Sequence, residues 1–374
     1  MKVMSVLDLR PRKLGSFEEY TIALSRSLAD QGAQSILVFK ELPPDAARPE
    51  YVDAGGVLET KPFEPFGRDS ASALMALMRR HRPDVVHFHF VNLLSLDVVA
   101  AALNRGVKVI FSDHASDIPK ERTAVRWCAL RASKRTFSSF VDQVVTPSDY
   151  VKARLVRQGI SAKKVTTIHN GVNLKRFRNS VVTGDIRAKY GIGSSTVIVA
   201  SISQLIPEKG IGYLIDAAGL ALRQGADLTF IHVGDGCRAA EYRARAQHLG
   251  IEKRFIFAGL LNLPEIAAIL RQSDIFTLPC TWGEAFSLTI LEALASGKPA
   301  VVTRVGGNVE AVEDGRNGLL VPPHDVKALA AAITALYDSP ERRQAMGRES
   351  AMRSSHFSVN RWVDETIELY GRLV

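Results

Sequence analysis

Cysteine is scarce in this sequence. Its three thiols, Cys128, Cys237 and Cys280, are scattered and form no C-x-x-C pair, so neither a disulfide framework nor a thiolate metal site is expected, and a reducing compartment suits the chain. Long apolar runs are lacking as well. None exceeds strand length, and the opening MKVMSVLDLRP meets Asp8 and Arg10 too early for a signal peptide or a membrane span. The expected location is therefore the cytoplasm. Repeats of solenoid period and low-complexity tracts are missing, which excludes a repeat array or a disordered chain.

What is present fits a folded protein. The 374 residues, 46% apolar and 23% charged, suggest about two domains at ~150 residues each. The net charge of +9 is unevenly spread: residues 1–177 hold 27 Lys+Arg against 18 Asp+Glu, and residues 178–374 hold 21 against 21. An excess confined to the first half suits an anionic partner such as nucleic acid, a membrane surface or a phosphorylated substrate, although a well-solvated face gives the same count.

Short β-branched runs alternate with helical patterns, the mark of an α/β fold on parallel sheets. The first half carries KVMSVLDL, SILVFK, DVVHFHF, KVIFSD and DQVVTPS, with a helix over EEYTIALSRSLADQG; the second carries TVIVASIS, LTFIHVG, FIFAG, IFTLPC, PAVVT and GLLVP. Turn signals around IHNGVNLKRF mark the junction. The expected architecture is two Rossmann-like domains facing across a cleft, residues 1–177 and 178–356.

One motif invites a dinucleotide. Gly234-Asp235-Gly236-Cys237-Arg238-Ala239 matches G-x-G-x-x-A after a strand, but the next strand, FIFAG, ends without the acidic residue that would hold a ribose, and the motif opens the second βα unit of its domain. A tight turn lining the cleft is the better reading.

The stretch EAFSLTILEALASGKP sets Glu284 and Glu292 eight positions apart. Ser287 reads as an N-cap, Leu288 to Ser296 has helical periodicity, and Gly297-Lys298-Pro299 stops the helix. Glu292 shares a stripe with Thr289 and Ser296, opposite Leu288, Leu291 and Ala295, so a solvated face is the bland expectation. Position argues otherwise. This helix follows strand IFTLPC, so its N-terminal amides leave the sheet's carboxyl edge and suit a phosphate, with Glu292 roughly 7.5 Å further along the axis to meet a ribose diol.

At these residues the chain resembles retaining glycosyltransferases of the GT-B fold, glycosyltransferase family 4, marked by E-x7-E. The resemblance runs nearly end to end: Lys13-Leu14-Gly15-Ser16 as the glycine loop, His87-Phe88-His89 as the H-x-H strand end, His114 as the cleft histidine, and Pro147-Ser148 and His169-Asn170-Gly171-Val172-Asn173 as the interdomain segment. Gln204 to Gly210 match the basic loop, followed by Gly234-Asp235-Gly236, the glutamate pair, and Gly306-Gly307 with Glu310. FSVNRWVDETIELYGRLV, residues 357–374, looks like the family's final helix, which the resemblance implies crosses back onto the first domain.

The resemblance implies a nucleotide-sugar donor as co-substrate, no cofactor and no metal. Glu292 would hold the ribose and Glu284 the sugar hydroxyls. The amides of Phe286, Ser287 and Leu288 would hold sugar and phosphate, Leu261 would meet the base, and Gly15 with Ser16 would approach the donor. Lys209 would neutralise the leaving diphosphate, and His114 would lie by the reacting sugar. Transfer would proceed by front-face displacement without a protein nucleophile. No D-x-D stands at a strand end, and Lys209 with the helix amides takes the place of a metal clamp.

Two residues depart from the family pattern: Ser16 replaces the loop's second glycine, and Gln204 replaces the arginine that usually assists the lysine. The alternatives are a catalytically weakened nucleotide-sugar-binding paralogue and a GT-B nucleotide-sugar epimerase. The acceptor is expected to be a glycan or lipid-linked molecule, met by the basic first domain, with peripheral contact to the inner face of a membrane. The stretch KERTAVRWCALRASKRTF carries Trp127 and Phe137 among scattered charges. Nucleic acid is not expected, because no binding module accompanies the basic excess.

Overall fold

The computed structural model describes residues 1–11, 14–116, 123–179 and 184–374. By contact they form two units: Met1–Ala115, residues 123–170 and Val359–Val374 make the first, and Ser116 with Gly171–Ser358 makes the second.

The first unit is built on seven parallel strands, β1 (Lys2–Leu7), β2 (Gln34–Phe39), β3 (Gly56–Thr60), β4 (Val85–His89), β5 (Lys108–Ser112), β6 (Gln143–Thr146) and β7 (Val165–Thr167). Their order is β3-β2-β1-β4-β5-β6-β7. The central strands are buried along nearly their whole length, as a sheet covered by helices on both faces requires. Sequence periodicity misses β3 and β7. Both lie at the sheet edges, where GVLET stays half-exposed and VTT is three residues long, so neither carries a continuous apolar run.

The first helix spans Ser16–Asp30, two residues ahead of its expected start at Glu18. It buries Phe17, Tyr20, Leu24 and Leu28 on one face, against the chain's last helix, Val359–Leu373. There Tyr20 stacks on Trp362 with centroids 3.7 Å apart, and the Tyr20 hydroxyl bonds Thr366 Oγ1 at 3.1 Å. Beside this seam His87 is satisfied on both nitrogens, Nδ1 by the Tyr370 hydroxyl and Nε2 by Ser112 Oγ, each at 2.8 Å. Both partners are side chains.

The second unit carries β8 (Val197–Ile202), β9 (Leu228–Val233), β10 (Phe255–Gly259), β11 (Ile275–Leu278), β12 (Ala300–Thr303) and β13 (Gly318–Val321). All are parallel, in the order β10-β9-β8-β11-β12-β13. Strand order reverses between β8 and β11, and between β1 and β4 in the first sheet; beyond the carboxyl ends of such reversals lies the crevice where α/β sheets bind ligands. By contact the second unit starts at Gly171, earlier than the 177/178 boundary drawn from turn signals. Val172 and Phe177 are wholly buried in its core, and the Val172 amide bonds the Phe357 carbonyl at 2.9 Å.

Two measurements test this packing. Trp362→Ala is expected to cost about 3–5 kcal/mol, the range for removing a buried tryptophan; urea denaturation showing a loss under about 1 kcal/mol would exclude the seam from the stability of the first unit. His87 is held neutral by burial, with a smaller repulsion from His114 once that ring is protonated, and its pKa is pulled down to about 3. In the unfolded chain it takes a proton near pH 6.5, so stability falls as pH drops below that value, by about 2 kcal/mol between pH 6.5 and 5 from this residue. In His87→Gln the acid-side slope should shrink by about one proton. Identical slopes would mean that His87 is charged in the fold.

Candidate functional site

In the second unit the site residues leave the carboxyl ends of four strands of its sheet. Gln204 follows β8, Leu261 follows β10, Glu284 through Leu288 follow β11, and the Gly306-Gly307 turn follows β12. Lys209 ends a short turn, Pro207–Lys209, between β8 and the helix Ile211–Arg223. That turn is stapled to the segment after β11, where the Thr281 amide bonds the Glu208 carbonyl at 2.9 Å.

The staple brings the Lys209 ammonium onto the Glu284 carboxylate as a hydrogen-bonded ion pair. The two side chains are 21% and 14% exposed. Burial alone would lower the Lys209 pKa, but the charge and hydrogen bond of Glu284 outweigh it and hold it raised. Cys280 is a third member, which sequence reading missed: its thiol lies 3.5 Å from Glu284 Oε2. Burial, then the charge of Glu284, keeps that thiol protonated and therefore a donor. The Glu284 backbone is gripped from the β12 side. The Gly307 amide bonds the Glu284 carbonyl at 2.8 Å, and a Cβ on Gly306, at φ +57°, would fall 2.0 Å from the same oxygen.

The helix after β11 spans Leu288–Ala295, with Ser287 at the N-cap position. The Ser287 hydroxyl does not cap it; it meets Thr289 Oγ1 at 3.0 Å. Phe286 anchors the approach, buried edge-on against Phe357 at 5.4 Å between centroids. Glu292 corrects the bland expectation. It is 4% exposed, since Ile290, Leu291, Ala293, Leu294 and Ala295 are buried around it and the helix has no broad wet face. A carboxylate so enclosed needs polar partners. Leu261 packs at the rim of this core and borders a cavity of about 320 Å³ shared with Ile186, Tyr190 and Ile269, at the small end of the ~300–1,000 Å³ typical of ligand pockets.

Gln204 is exposed. Of the cations able to replace the missing arginine, Arg304 is exposed and bonded to Asp314 at 2.8 Å, and Arg12 and Lys13 lie outside the described residues. Arg238, read in the sequence only as part of the glycine turn, meets the same loop: its amide bonds the carbonyl of Leu205 beside Gln204 at 3.0 Å, while its guanidinium is paired with Glu241.

In the first unit Gly15 and Ser16 stand after β1 and His114 after β5. The Glu18 carboxylate folds back over Gly15, accepting its amide at 3.0 Å; a Cβ there would sit 2.7 Å from that carboxylate. Ser16 is buried in the first turn of the helix and has no positive φ. His114 Nε2 meets His89 Nδ1 at 3.1 Å, and its ring lies against Phe17 and Phe90. Burial lowers its pKa to about 4 against the opposing pull of Asp113, so the imidazole is neutral.

Both halves match family models. Residues 17–176 match Glycosyltransferase Family 4, and residues 182–353 match Glycosyl transferases group 1. Among curated relatives, D-inositol 3-phosphate glycosyltransferase 2 of Catenulispora acidiphila is 28% identical, over 96% of this chain and 90% of its own length. The UDP-Gal:alpha-D-GlcNAc-diphosphoundecaprenol alpha-1,3-galactosyltransferase of Escherichia coli is 26% identical over 82% and 79%. Among solved structures, Anabaena HepE in complex with UDP-glucose superposes with a TM-score of 0.82 at 22% identity, over 100% of both chains. With a family model matching each half and this fold throughout, the protein is a glycosyltransferase of the GT-B fold.

Proposed function

We propose that this glycosyltransferase is a retaining hexosyltransferase that takes its sugar from a nucleoside-diphosphate donor, with neither a metal nor a cofactor. The observation that carries the proposal is the Lys209–Glu284 pair at the carboxyl edge of the second sheet, beside the start of helix Leu288–Ala295. Lys209 and the amides of Phe286, Ser287 and Leu288 supply positive potential for a diphosphate. Glu284 then faces the sugar hydroxyls, Glu292 the ribose and Leu261 the base. Neutral His114 contributes a hydrogen bond to the sugar rather than a charge. The leaving phosphate accepts the acceptor proton in a front-face displacement, so no protein nucleophile is needed. The names of a galactosyltransferase using UDP-Gal and of HepE bound to UDP-glucose support a nucleotide-sugar donor. A weakened paralogue is the second reading, favoured by Gln204 and by the engagement of Arg304 with Asp314.

Thermal shifts with a panel of nucleotide sugars identify the donor, and NMR of the first product reports its anomeric configuration; an inverted anomer would overturn retention. Turnover should persist in chelator. Glu292→Gln is expected to weaken binding of the nucleoside diphosphate, whereas Glu284→Gln lowers transfer and leaves nucleotide affinity nearly intact. Equal nucleotide losses in calorimetry would refute this division. Gln204→Arg should tighten donor binding by ~1.5–3 kcal/mol if no other cation substitutes. Lys209→Ala with binding and turnover both intact would move the diphosphate elsewhere.

For the acceptor we propose a glycan carried on an anionic or lipid-linked molecule, met at a cytoplasmic membrane face. The helix Ala124–Phe137 buries none of its residues. It exposes Val125 and Trp127 and carries Arg126, Arg131, Lys134 and Arg135 without an acidic residue. The start of the basic stretch, Lys120 to Arg122, lies outside the described residues. Sedimentation with vesicles containing anionic phosphatidylglycerol should capture the protein at low salt and release it as screening rises. Equal recovery on neutral phosphatidylcholine vesicles would remove the charge argument.

A further inference from the structure

The Gly234-Asp235-Gly236 turn is adjacent to the loop that carries Lys209. After β8 the chain runs through Ser203, Gln204, Leu205 and Ile206 to the Lys209 turn, and β9 ends beside it. The Ser203 amide bonds the Val233 carbonyl, the Leu205 amide the Asp235 carbonyl, and the Arg238 amide the Leu205 carbonyl, all at 3.0 Å. The approach is close enough to dictate residue type. At φ +136° a Cβ on Gly234 would fall 1.9 Å from the Ser203 oxygen, and one on Gly236 would fall 2.5 Å from the Leu205 oxygen. These glycines serve contact between two backbones.

Beneath that contact lies His232, with 0% exposure, opposite Ser201 in the β8–β9 register. Its Nε2 stands 3.2 Å from the Ser203 carbonyl. A carbonyl only accepts, so Nε2 carries the proton and donates. Among the described residues His232 Nδ1 and Ser201 Oγ have no hydrogen-bond partner. The bond to Ser203 is therefore the imidazole's single polar anchor, and burial keeps the ring neutral, with its pKa lowered to about 4.

We propose that His232 is a positioning residue for the donor site: its Nε2–H bond to the Ser203 carbonyl, with the Gly234 and Gly236 contacts, sets the path of the loop from Ser203 to Lys209 and thereby the place of the Lys209 ammonium. The Thr281–Glu208 staple holds the far end of the same loop. This role rests on the proposed reading of Lys209 as the diphosphate cation. His232 itself touches no substrate.

His232→Gln keeps an N–H able to reach the Ser203 carbonyl, and His232→Leu does not. In His232→Leu, amide exchange at Leu205 and Lys209 should rise about tenfold or more, and affinity for UDP and GDP should fall about tenfold, the consequence of one lost hydrogen bond. UMP and GMP, which lack the second phosphate, should bind nearly as before, and His232→Gln should restore the native values. Unchanged exchange in His232→Leu overturns the positioning role, whatever the nucleotides do. So do equal losses of diphosphate and monophosphate, or a failure of His232→Gln to restore either readout. Lys209→Ala is the separate control: if it loses UDP and UMP equally, the reading of Lys209 fails while the exchange data still decide on His232. Should His232→Leu not fold, Gly236→Ala presses on Leu205 and is expected to give the same diphosphate-selective loss; a selective loss absent there also overturns the role.

Discussion

Two opposite charges drawn partly out of water, Lys209 and Glu284, set the terms for the edge of the second sheet. An ammonium or a carboxylate this enclosed forfeits several kcal/mol of hydration, and only a close partner offsets it. The partners are 75 residues apart in sequence, so the backbone on each side must be held. On the lysine side the Thr281–Glu208 bond and the β9 turn fix the loop. On the glutamate side the Gly306-Gly307 turn closes on the Glu284 carbonyl, and the Cys280 thiol donates to its carboxylate. The glycines along this edge follow from the same requirement, because a Cβ at Gly234 or Gly306 would fall far inside van der Waals contact with a carbonyl oxygen.

The first unit buries the Lys61–Asp97 and Arg154–Asp113 ion pairs, but around its histidines it meets the cost of buried polar groups in another way, by keeping the rings neutral. His87, His89 and His114 are all held well below the usual histidine range by burial. Each is matched by a hydroxyl or another ring, so no charge has to be desolvated. One of those hydroxyls belongs to Tyr370, near the end of the chain. The last helix thus does more than cover apolar surface: through Trp362 and Tyr370 it completes both the aromatic seam and the hydrogen bonding of a strand histidine.

Much of this was legible in the residue order. Central strands such as VIVASI and LTFIHV are buried throughout because both faces are covered, and their mostly apolar runs survive as a signal without a structure. Edge strands lose it, which is why β3 and β7 were missed. The helix start was read from motif spacing and strand placement, whereas Lys209 and the role of Glu284 came only with the family resemblance. The burial of Glu292 was not legible, since helical phase gives the direction of a side chain but not what other elements stack against it. Cys280 and His232 had no readable signal. Each acts through a contact with a residue distant in sequence or on a neighbouring loop, and a lone cysteine or strand histidine reads as core.

The ion pair also shapes what the proposed site can hold. Lys209 and Glu284 offset each other's charge in the free protein, so on the proposed reading a diphosphate that draws on Lys209 shares its three N–H donors with Glu284 and loosens the pair. A donor that carries its sugar offers hydroxyls to Glu284 as it offers phosphate to Lys209, and replaces both halves of the pair together. On the proposed reading, phosphate and sugar recognition are then coupled through one bond. The site favours the intact donor over the nucleoside diphosphate that remains after transfer, which helps the product leave.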